Sequence, residues 1–466
     1  VLAAAKLDWS AIEPSIFGTL FERGLDPSKR AQLGAHYTDA ASIMRIVDPV
    51  IKEPLLDEWD QSKAKIAAAL DKAEKAKAPA TKTKAIKEAE QTLQGYLRRL
   101  GEYRVLDPAC GSGNFLYLAL QTLKDIEHRA ALEAEQLGLP RGLTGMNTGV
   151  QNVHGIELNA YASELARLTV WIGEIQWMLR HGVRPSRKPI LQELNNIECR
   201  DAVLNADGSE ATWPKVDAIV GNPPFLGDKK MREGLGHEYT ESLRRRYSGR
   251  VPGGADLVTY WFEKARAQIA TGNAKLAGLV ATNSIRGGAN RKVLDRIVET
   301  GAIFNAWSDE EWINEGAAVR VSIVCFGRKE ANRTKVLDGK PVAAVRADLS
   351  GALREGMHGG RPDMTLARPQ PENAQIAYRG TTKAGSFDVE GHQAREWLAT
   401  PNPHGAPNSD VVRPWRNGLD LTRRNSDTWI VDFGTAMARD VASLYECPFK
   451  HIEAVVLPER QGTRRE

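Results

Sequence analysis

The feature that most constrains this chain is an alternation of short apolar strands and helical patterns between residues 101 and 330. Such an alternation predicts an α/β fold, in which a mostly parallel sheet is covered by helices on both faces. No clear helix separates the last two strands, so we expect an antiparallel hairpin at that edge of the sheet. The seven predicted strands are 103–106, 153–157, 197–200, 216–220, 276–282, 303–307 and 319–326.

The regions on either side of this alternation differ from it in composition. The chain has 466 residues, of which 42% are hydrophobic and 26% charged, so it has the composition of a globular protein and the length of roughly three domains. Residues 1–100 predict a helical region with a charged hairpin at about 57–100, broken at Pro79, which we interpret as a solvated spacer. Residues 331–466 predict a loop-rich C-terminal region. Because the first residue is Val1, we expect a piece of a longer protein.

Several classes of protein are disfavoured. No apolar run approaches the roughly 20 residues of a membrane helix, so we expect no membrane partner. The spacing of the cysteines disfavours a disulfide scaffold and a zinc ribbon, and it predicts a cytoplasmic protein with no metal site. A net charge of +4 is only weak support for a nucleic acid partner. The four cysteines are Cys110, Cys199, Cys325 and Cys447.

The strongest local signal is the turn after the first predicted strand, which reads DPACGSG over residues 107–113. The glycines allow the backbone to approach a ligand, and ligands of such sheets bind at the carboxyl ends of the strands. Leu116 stands where a dinucleotide fingerprint needs its third glycine, which disfavours nicotinamide and flavin cofactors. The second and third strands also close on acids, Glu157 and Asp201, which we interpret as ribose and adenine contacts. Capping of the helix from Ala160 remains the alternative for Glu157, and a purely structural role remains the alternative for Asp201.

The second signal is the run NPPF at residues 222–225, directly after a buried strand. The two prolines fix the loop and remove two N–H donors, so the loop presents acceptors. The amide oxygen of Asn222 adds one more acceptor, and together these groups can hold a planar NH₂ group by both hydrogens. Phe225 offers a ring on which a base can stack. A simple tight turn remains the alternative.

Together these two turns resemble motifs I and IV of the γ-class S-adenosylmethionine-dependent DNA amino methyltransferases. The run GAHYT at residues 34–38 is similar to their motif X, although Asp39 stands where the family often has proline. Residues 168–177 and 281–291 resemble most the MmeI-like (type IIL) and related type IIG restriction-modification enzymes. The resemblance implies a class I methyltransferase (Rossmann-like) fold over residues 101–330, with a seven-stranded sheet. It also makes residues 331–466 a connector and partial DNA target-recognition region.

The resemblance assigns roles to individual residues. Catalytic contacts with the target base fall to Asn222, Pro223, Pro224 and Phe225. Contacts with S-adenosylmethionine fall to Tyr37, Thr38, Asp107, Ala109, Gly111, Gly113, Glu157, Asp201 and Asp256. Basic side chains near the catalytic loop are expected to contact DNA phosphates, which would give affinity without sequence choice. They are Lys229, Lys230, Arg232, Arg286 and Arg291.

The activity implied is methyl transfer from S-adenosylmethionine to N6 of adenine in a specific sequence of double-stranded DNA, with base flipping. The setting implied is a restriction-modification or phage-defence system, with partner proteins from that system. Three alternatives stay open: methylation of cytosine N4, methylation of a protein glutamine at N5, and a non-catalytic DNA-binding specificity subunit. We find no Glu-x-Lys nuclease set between suitable acidic strands, so we expect no DNA cleavage by this chain.

Overall fold

The chain divides into two compact units, Val1–Ala367 and Arg368–Glu466. The computed structural model describes residues 38–139, 146–183, 194–314, 317–330, 333–352, 370–373, 383, 385–416, 418, 420 and 426–462. No helix in these ranges is both long enough and apolar enough to cross a membrane.

The first unit begins with helices that pack on the sheet. Helix α1 (Ala40–Val47) is capped by the side chain of Asp39, which accepts a hydrogen bond from the Ser42 amide at 3.0 Å. A π-helical turn leads into α2 (Glu53–Lys75), and Pro79 starts the returning helix α3 (Pro79–Gly101).

This hairpin is the predicted one, but it is part of the fold and not a solvated spacer. Trp59, Ile66 and Leu100 are fully buried in the same cluster as Val105 of the sheet. The indole N–H of Trp59 also donates to a carboxylate oxygen of Glu133, at 2.8 Å. The charged residues cover only the outer faces of α2 and α3, because the small and apolar residues recur at helical spacing on the inner ones.

The sheet has the strand order β3-β2-β1-β4-β5-β7-β6-β8-β9. Its first five strands pair in parallel, while β7 runs antiparallel to both β5 and β6. The predicted antiparallel hairpin of the last two expected strands is therefore confirmed, and two further strands extend the sheet beyond it. The seven expected strands are β1 (Val105–Asp107), β2 (Val153–Glu157), β3 (Ile197–Cys199), β4 (Ala218–Gly221), β5 (Leu276–Thr282), β6 (Ala302–Asn314) and β7 (Ala317–Gly327).

Two strands beyond the expected seven extend this sheet. Strand β8 (Lys335–Leu337) pairs in parallel with β6, and β9 (Lys340–Val342) returns beside it. They are joined by Asp338 and Gly339, both at positive φ, which is the two-residue turn that a tight hairpin requires. The first unit therefore continues past residue 330, where the sequence placed its end. Two further short strands, β10 (Ala344–Val345) and β11 (Gly351–Ala352), follow.

Helices cover both faces of the sheet. Val105 points into a core that the sheet shares with α1, α2 and α3, and the next residue, Leu106, points into a second core on the other face. The helices of the first core are completed by α4 (Asn114–Gln136) and α5 (Ala160–Arg180). The second core is covered by α6 (Asp228–Leu235), α7 (His237–Arg246), α8 (Thr259–Thr271) and α9 (Gly288–Thr300).

The second unit has a small sheet and core of its own. Its antiparallel strands β12 (Asp388–Glu390), β13 (Val412–Pro414) and β14 (Thr428–Val431) lie in the order β12-β14-β13. Its core includes Trp397 and Tyr445. The helices are α10 (Gly391–Ala399), α11 (Arg439–Ser443), α12 (Glu446–His451) and α13 (Leu457–Gly462).

Replacing Trp59 by alanine tests whether the hairpin is part of the core. We expect the Trp59→Ala substitution to lower the free energy of unfolding by about 3–5 kcal/mol, because it removes a fully buried aromatic side chain. Urea denaturation measures the change. Trp59→Phe, which keeps most of the apolar contact and loses the hydrogen bond to Glu133, should show a smaller loss. If the alanine variant loses less than about 1 kcal/mol of unfolding free energy, the hairpin is better interpreted as a solvated spacer.

Candidate active site

Parallel pairing brings three polar positions to one edge of the sheet. Strand β1 pairs with β2 on one side and β4 on the other, so Asp107, Glu157 and Asn222 follow neighbouring strands at their carboxyl ends. Asp107 is buried, and its Oδ1 accepts a hydrogen bond from the Ala109 amide at 3.0 Å. A Cβ at Gly221 would lie 2.5 Å from the same Oδ1. Glycine at the end of β4 is what allows the carboxylate to approach this closely.

The DPACGSG turn is held from two sides. The Gly111 amide donates to Glu157 Oε2 at 2.9 Å, so the acid of the second strand fixes the turn of the first. Gly113 has φ +88°, and a Cβ there would lie 2.9 Å from the Cα of Ala166 in α5. The turn can therefore close against α5 only with glycine at this position.

Burial sets the electrostatics of the turn. The pKa of Asp107 is raised to about 8 by its removal from solvent, with a further contribution from the charge of Glu157. Burial also raises the pKa of Glu157. Among the residues that the structure describes, neither carboxylate forms a salt bridge. The turn therefore favours a ligand that brings positive charge to it.

The NPPF loop presents a hydrogen-bond acceptor that is not used within the chain. Asn222 donates from Nδ2 to Thr38 Oγ1 at 3.1 Å, across 184 residues of sequence. Its Oδ1 is buried and accepts no hydrogen bond from any residue that the structure describes. Pro223 is buried, and Phe225 is half-buried where it packs against both cores. An unused buried acceptor beside an aromatic ring is suited to an NH₂ group on a planar ligand.

Thr38 therefore lies at the NPPF loop, although it was expected at the cofactor. Tyr37, its predicted neighbour in this role, lies outside the described residues. The hydroxyl of Thr38 is buried with Asn222, so the segment before α1 contributes to the same edge of the sheet.

The two remaining acids of the predicted cofactor set have partners within the chain. Asp201 accepts hydrogen bonds from the Val203 and Leu204 amides, at 2.7 and 3.1 Å, and from the Tyr239 hydroxyl at 2.7 Å. One of its oxygens therefore fixes the turn that follows β3, and no helix begins there. Asp256 accepts from the Asp228 amide at 3.1 Å.

Asp256 also links the helix that follows the NPPF loop to α9. Its Oδ2 accepts hydrogen bonds from Ser284 Oγ at 2.9 Å and from Asn290 Nδ2 at 2.7 Å, while its Oδ1 caps the start of α6. These contacts place Asp256 as a support between the NPPF loop and α9. Sequence reasoning missed Ser284 and Asn290, as well as Tyr239 and Trp261, whose indole N–H donates to the Pro108 carbonyl at 3.0 Å. They carry no local signal, because each is far along the chain from its partner.

The predicted DNA contacts fall into two groups. Lys229 and Lys230 are exposed on α6, shortly after the NPPF loop. Arg232 instead pairs with Glu241 at 2.7 Å, and Arg286 donates to the carbonyls of Asp348 and Ser308, both at 3.3 Å. Within the described ranges, no group of three His, Cys, Asp or Glu side chains is placed to hold a metal ion.

The chain is similar to known proteins both in sequence and in fold. Residues 83–338 match the family model described as the DNA-methyltransferase domain of MmeI. The chain is 29% identical over 368 residues to DNA methyltransferase A of Bacillus subtilis (strain 168), in an alignment that covers 75% of this chain and 38% of that protein.

Among solved structures, the type IIL restriction-modification enzyme MmeI in complex with DNA has a similar fold. The TM-score is 0.63 at 24% sequence identity, and the match covers 96% of this chain and 58% of that one. The chain thus spans less than two thirds of the length of either protein. The expected class I methyltransferase fold is confirmed, with its parallel sheet and antiparallel β7.

The raised pKa of Asp107 predicts a pH dependence of stability. The folded chain keeps a proton on Asp107 from a pH of about 4, where an unfolded aspartate loses it, to about 8. The stabilisation is therefore complete below pH 4 and is lost as the pH rises to about 8. Asp107→Asn removes this titration, so its unfolding free energy relative to wild type should increase over that window.

Urea denaturation of both proteins at several pH values between 4.5 and 8.5, roughly the window over which the group titrates, measures this difference. Asp60→Asn, an exposed position on α2, is the matched control for the loss of one acidic group. A difference that stays flat or decreases with pH would show that Asp107 is ionised throughout.

Proposed function

The chain belongs to the MmeI DNA-methyltransferase domain family, and on that premise we propose that it methylates the N6 amino group of adenine in double-stranded DNA. The methyl donor in this proposal is S-adenosylmethionine, and the setting is a restriction-modification system. The observation that carries the proposal is the unused, buried Oδ1 of Asn222 at the end of β4. It lies one strand from a turn whose buried carboxylates favour a cationic ligand.

The residues at the DPACGSG turn fit this cofactor. S-adenosylmethionine carries positive charge on its sulfonium and ammonium groups and, when bound, supplies an electrophilic methyl group. Asp107 and Glu157 are desolvated carboxylates that such charge would stabilise in their ionised forms. The backbone of Ala109, Gly111 and Gly113 allows close approach, and Tyr37 remains part of the proposed set.

Glu157 is proposed to hold the ribose hydroxyls while its Oε2 and Oε1 keep the turn amides of Gly111 and Asn159. A carboxylate has about four lone-pair sites, so these two contacts leave capacity for a ligand. Asp201 is proposed to lie beside the adenine of the cofactor, positioned there by Tyr239.

Asn222 acts on the target amino group by accepting its hydrogen bonds. The lone pair of an exocyclic amine is delocalised into the ring, which makes the nitrogen a poor nucleophile. Acceptors at Asn222 Oδ1 and at the Pro223 carbonyl would draw both hydrogens out of the ring plane and leave the lone pair available. The gain comes from positioning and from electrostatics aimed at the charge that develops on nitrogen. The hydrogen bond to Thr38 holds the Asn222 amide in the orientation that presents Oδ1.

The base must leave the duplex to reach this loop. Extrusion costs a few kcal/mol, and stacking on an aromatic ring returns about 1–3 kcal/mol. Phe225 is proposed to provide that ring, since it follows the acceptors directly and is half-buried. Pro223 and Pro224 hold the loop in place before the base arrives, so little conformational entropy is lost on binding.

Asn222→Ala tests the proposal. We expect methyl transfer to fall on the order of 100-fold or more, with little change in cofactor affinity, because the acceptor acts mainly on the reacting amine. The assay incubates duplex DNA of diverse sequence with S-adenosylmethionine labelled in the methyl group. Asn205→Ala, at an exposed loop position, is the matched control and should retain activity.

Digestion of the labelled DNA to nucleosides identifies the product. Label in N6-methyl-2′-deoxyadenosine supports the proposal, and label in N4-methyl-2′-deoxycytidine would change the target base while keeping the role of Asn222. If the wild-type chain labels no DNA, the proposal is wrong. If Asn222→Ala labels DNA as fast as wild type, the proposed role of Asn222 is wrong.

A further inference from the structure

A basic cavity of about 710 Å³ lies apart from the residues of the proposed active site. Its walls are the loop 249–252 after α7, one side of α9, and residues 344–347 around β10. Two carboxylates line it, those of Asp295 and Glu299. Against them stand five cationic side chains, from Arg250, Arg291, Lys292, Arg296 and Arg346.

Two of the arginines are held in place by acids outside the cavity. Arg250 pairs with Glu210 at 2.5 Å, and Arg296 pairs with the fully buried Glu263 at 3.2 Å. Each acid is shared with a second cation, Glu210 with Lys264 at 3.3 Å and Glu263 with Arg266 at 2.8 Å. These acids therefore fix the guanidinium groups without cancelling the excess positive charge.

Arg291 has a donor that the chain does not use. Its Nε is buried and donates no hydrogen bond to any residue that the structure describes. The Oδ1 of Asp295 lies 3.9 Å from this nitrogen, which is beyond hydrogen-bond distance. A buried, unsatisfied N–H costs about 1–3 kcal/mol, so a ligand acceptor at this point would be favoured. Phosphate oxygens are strong acceptors for a guanidinium group, and the excess of cationic side chains favours an anion here.

The cavity is tied to the catalytic edge of the sheet. Asn290, the residue before Arg291, donates a hydrogen bond to Asp256. Asp256 in turn accepts a hydrogen bond from the first residue of helix α6, which follows the NPPF loop. On the opposite wall, Arg286 donates to the carbonyl of Asp348, two residues after Arg346. A group bound in the cavity would therefore contact α9, which is linked through Asn290 and Asp256 to the helix that follows the NPPF loop.

We propose that this cavity binds a backbone phosphate of the DNA substrate, which rests on the proposed function. Arg291 and Lys292 would hold the phosphate, and Arg250, Arg296 and Arg346 would supply the surrounding positive charge. Such a contact is independent of sequence, so it contributes affinity and orientation and does not choose the site.

The test measures DNA binding by the full 466-residue chain without methyl transfer. Fluorescence anisotropy follows binding of a labelled mixed-sequence duplex over a series of salt concentrations. In the Arg291→Ala/Lys292→Ala variant, the slope of log K against log salt should become less negative by about 0.9 for each phosphate that the variant no longer neutralises. Lys82→Ala/Lys87→Ala, two exposed positions on α3, removes the same charge and should leave the slope close to wild type.

A second variant covers failure to fold. Thermal unfolding checks both double variants, and Lys292→Ala alone, whose side chain is 60% exposed, repeats the test with little risk to the fold. A slope equal to that of wild type in a folded variant overturns the inference and leaves the proposed function standing. If wild type binds no duplex, the proposed function and the inference both fail.

Titration calorimetry with inorganic pyrophosphate separates the two sources of phosphate. Weak or absent pyrophosphate binding together with the reduced slope supports a DNA phosphate. Saturable pyrophosphate binding that the variant loses, with no change in the DNA slope, would assign the cavity to a free phosphate ligand and overturn the proposal.

Discussion

The parallel pairing of β1 with β2 on one side and β4 on the other is the constraint on which the rest of the site depends. It places Asp107, Glu157 and Asn222 at one edge although they are spread over more than a hundred residues of sequence. A shift of one residue in the register of β1 would point Val105 and Leu106 each into the opposite core. It would also move Asp107 and Glu157 out of their relative positions at this edge. The two cores therefore hold the chemistry in place as well as the fold.

Buried polar groups at this edge of the sheet lower the stability of the fold and leave contacts available to a ligand. Asp107 is buried against the backbone of Gly221, and the cost of its desolvation appears as a pKa raised to about 8. A larger residue at position 221, or a solvated acid at 107, would relieve this cost but would also weaken the preference for a cationic ligand. The same logic applies to Asn222, whose buried Oδ1 lacks a partner within the described residues. Buried polar groups that lack a hydrogen-bond partner are characteristic of ligand-binding sites.

Local patterns in the sequence predicted much of the fold, and long-range contacts explain what they missed. The seven strands could be predicted because each is a short apolar run beside a turn signal. Strands β8 and β9 have only three residues each, and both begin with a lysine. The ends of β1 and β4 were marked by their own residues. The role of Asp256 could not be predicted, because it depends on Ser284 and Asn290. The hairpin of α2 and α3 was identified, but its burial depends on helix α4, which supplies Glu133 to Trp59.

The distribution of paired arginines bears on how DNA would be held. The number of basic residues near the NPPF loop overstates the positive charge that is available to bind DNA, because Arg232 pairs with Glu241 and Arg250 pairs with Glu210. Partly exposed pairs of this kind contribute only about 0–1 kcal/mol, so a phosphate group can replace the acid at little cost. The acids then act mainly to hold the long side chains in position before DNA arrives, which reduces the entropy lost on binding. The exposed lysines of α6 need no such exchange and would make the first, most salt-sensitive contacts with the backbone.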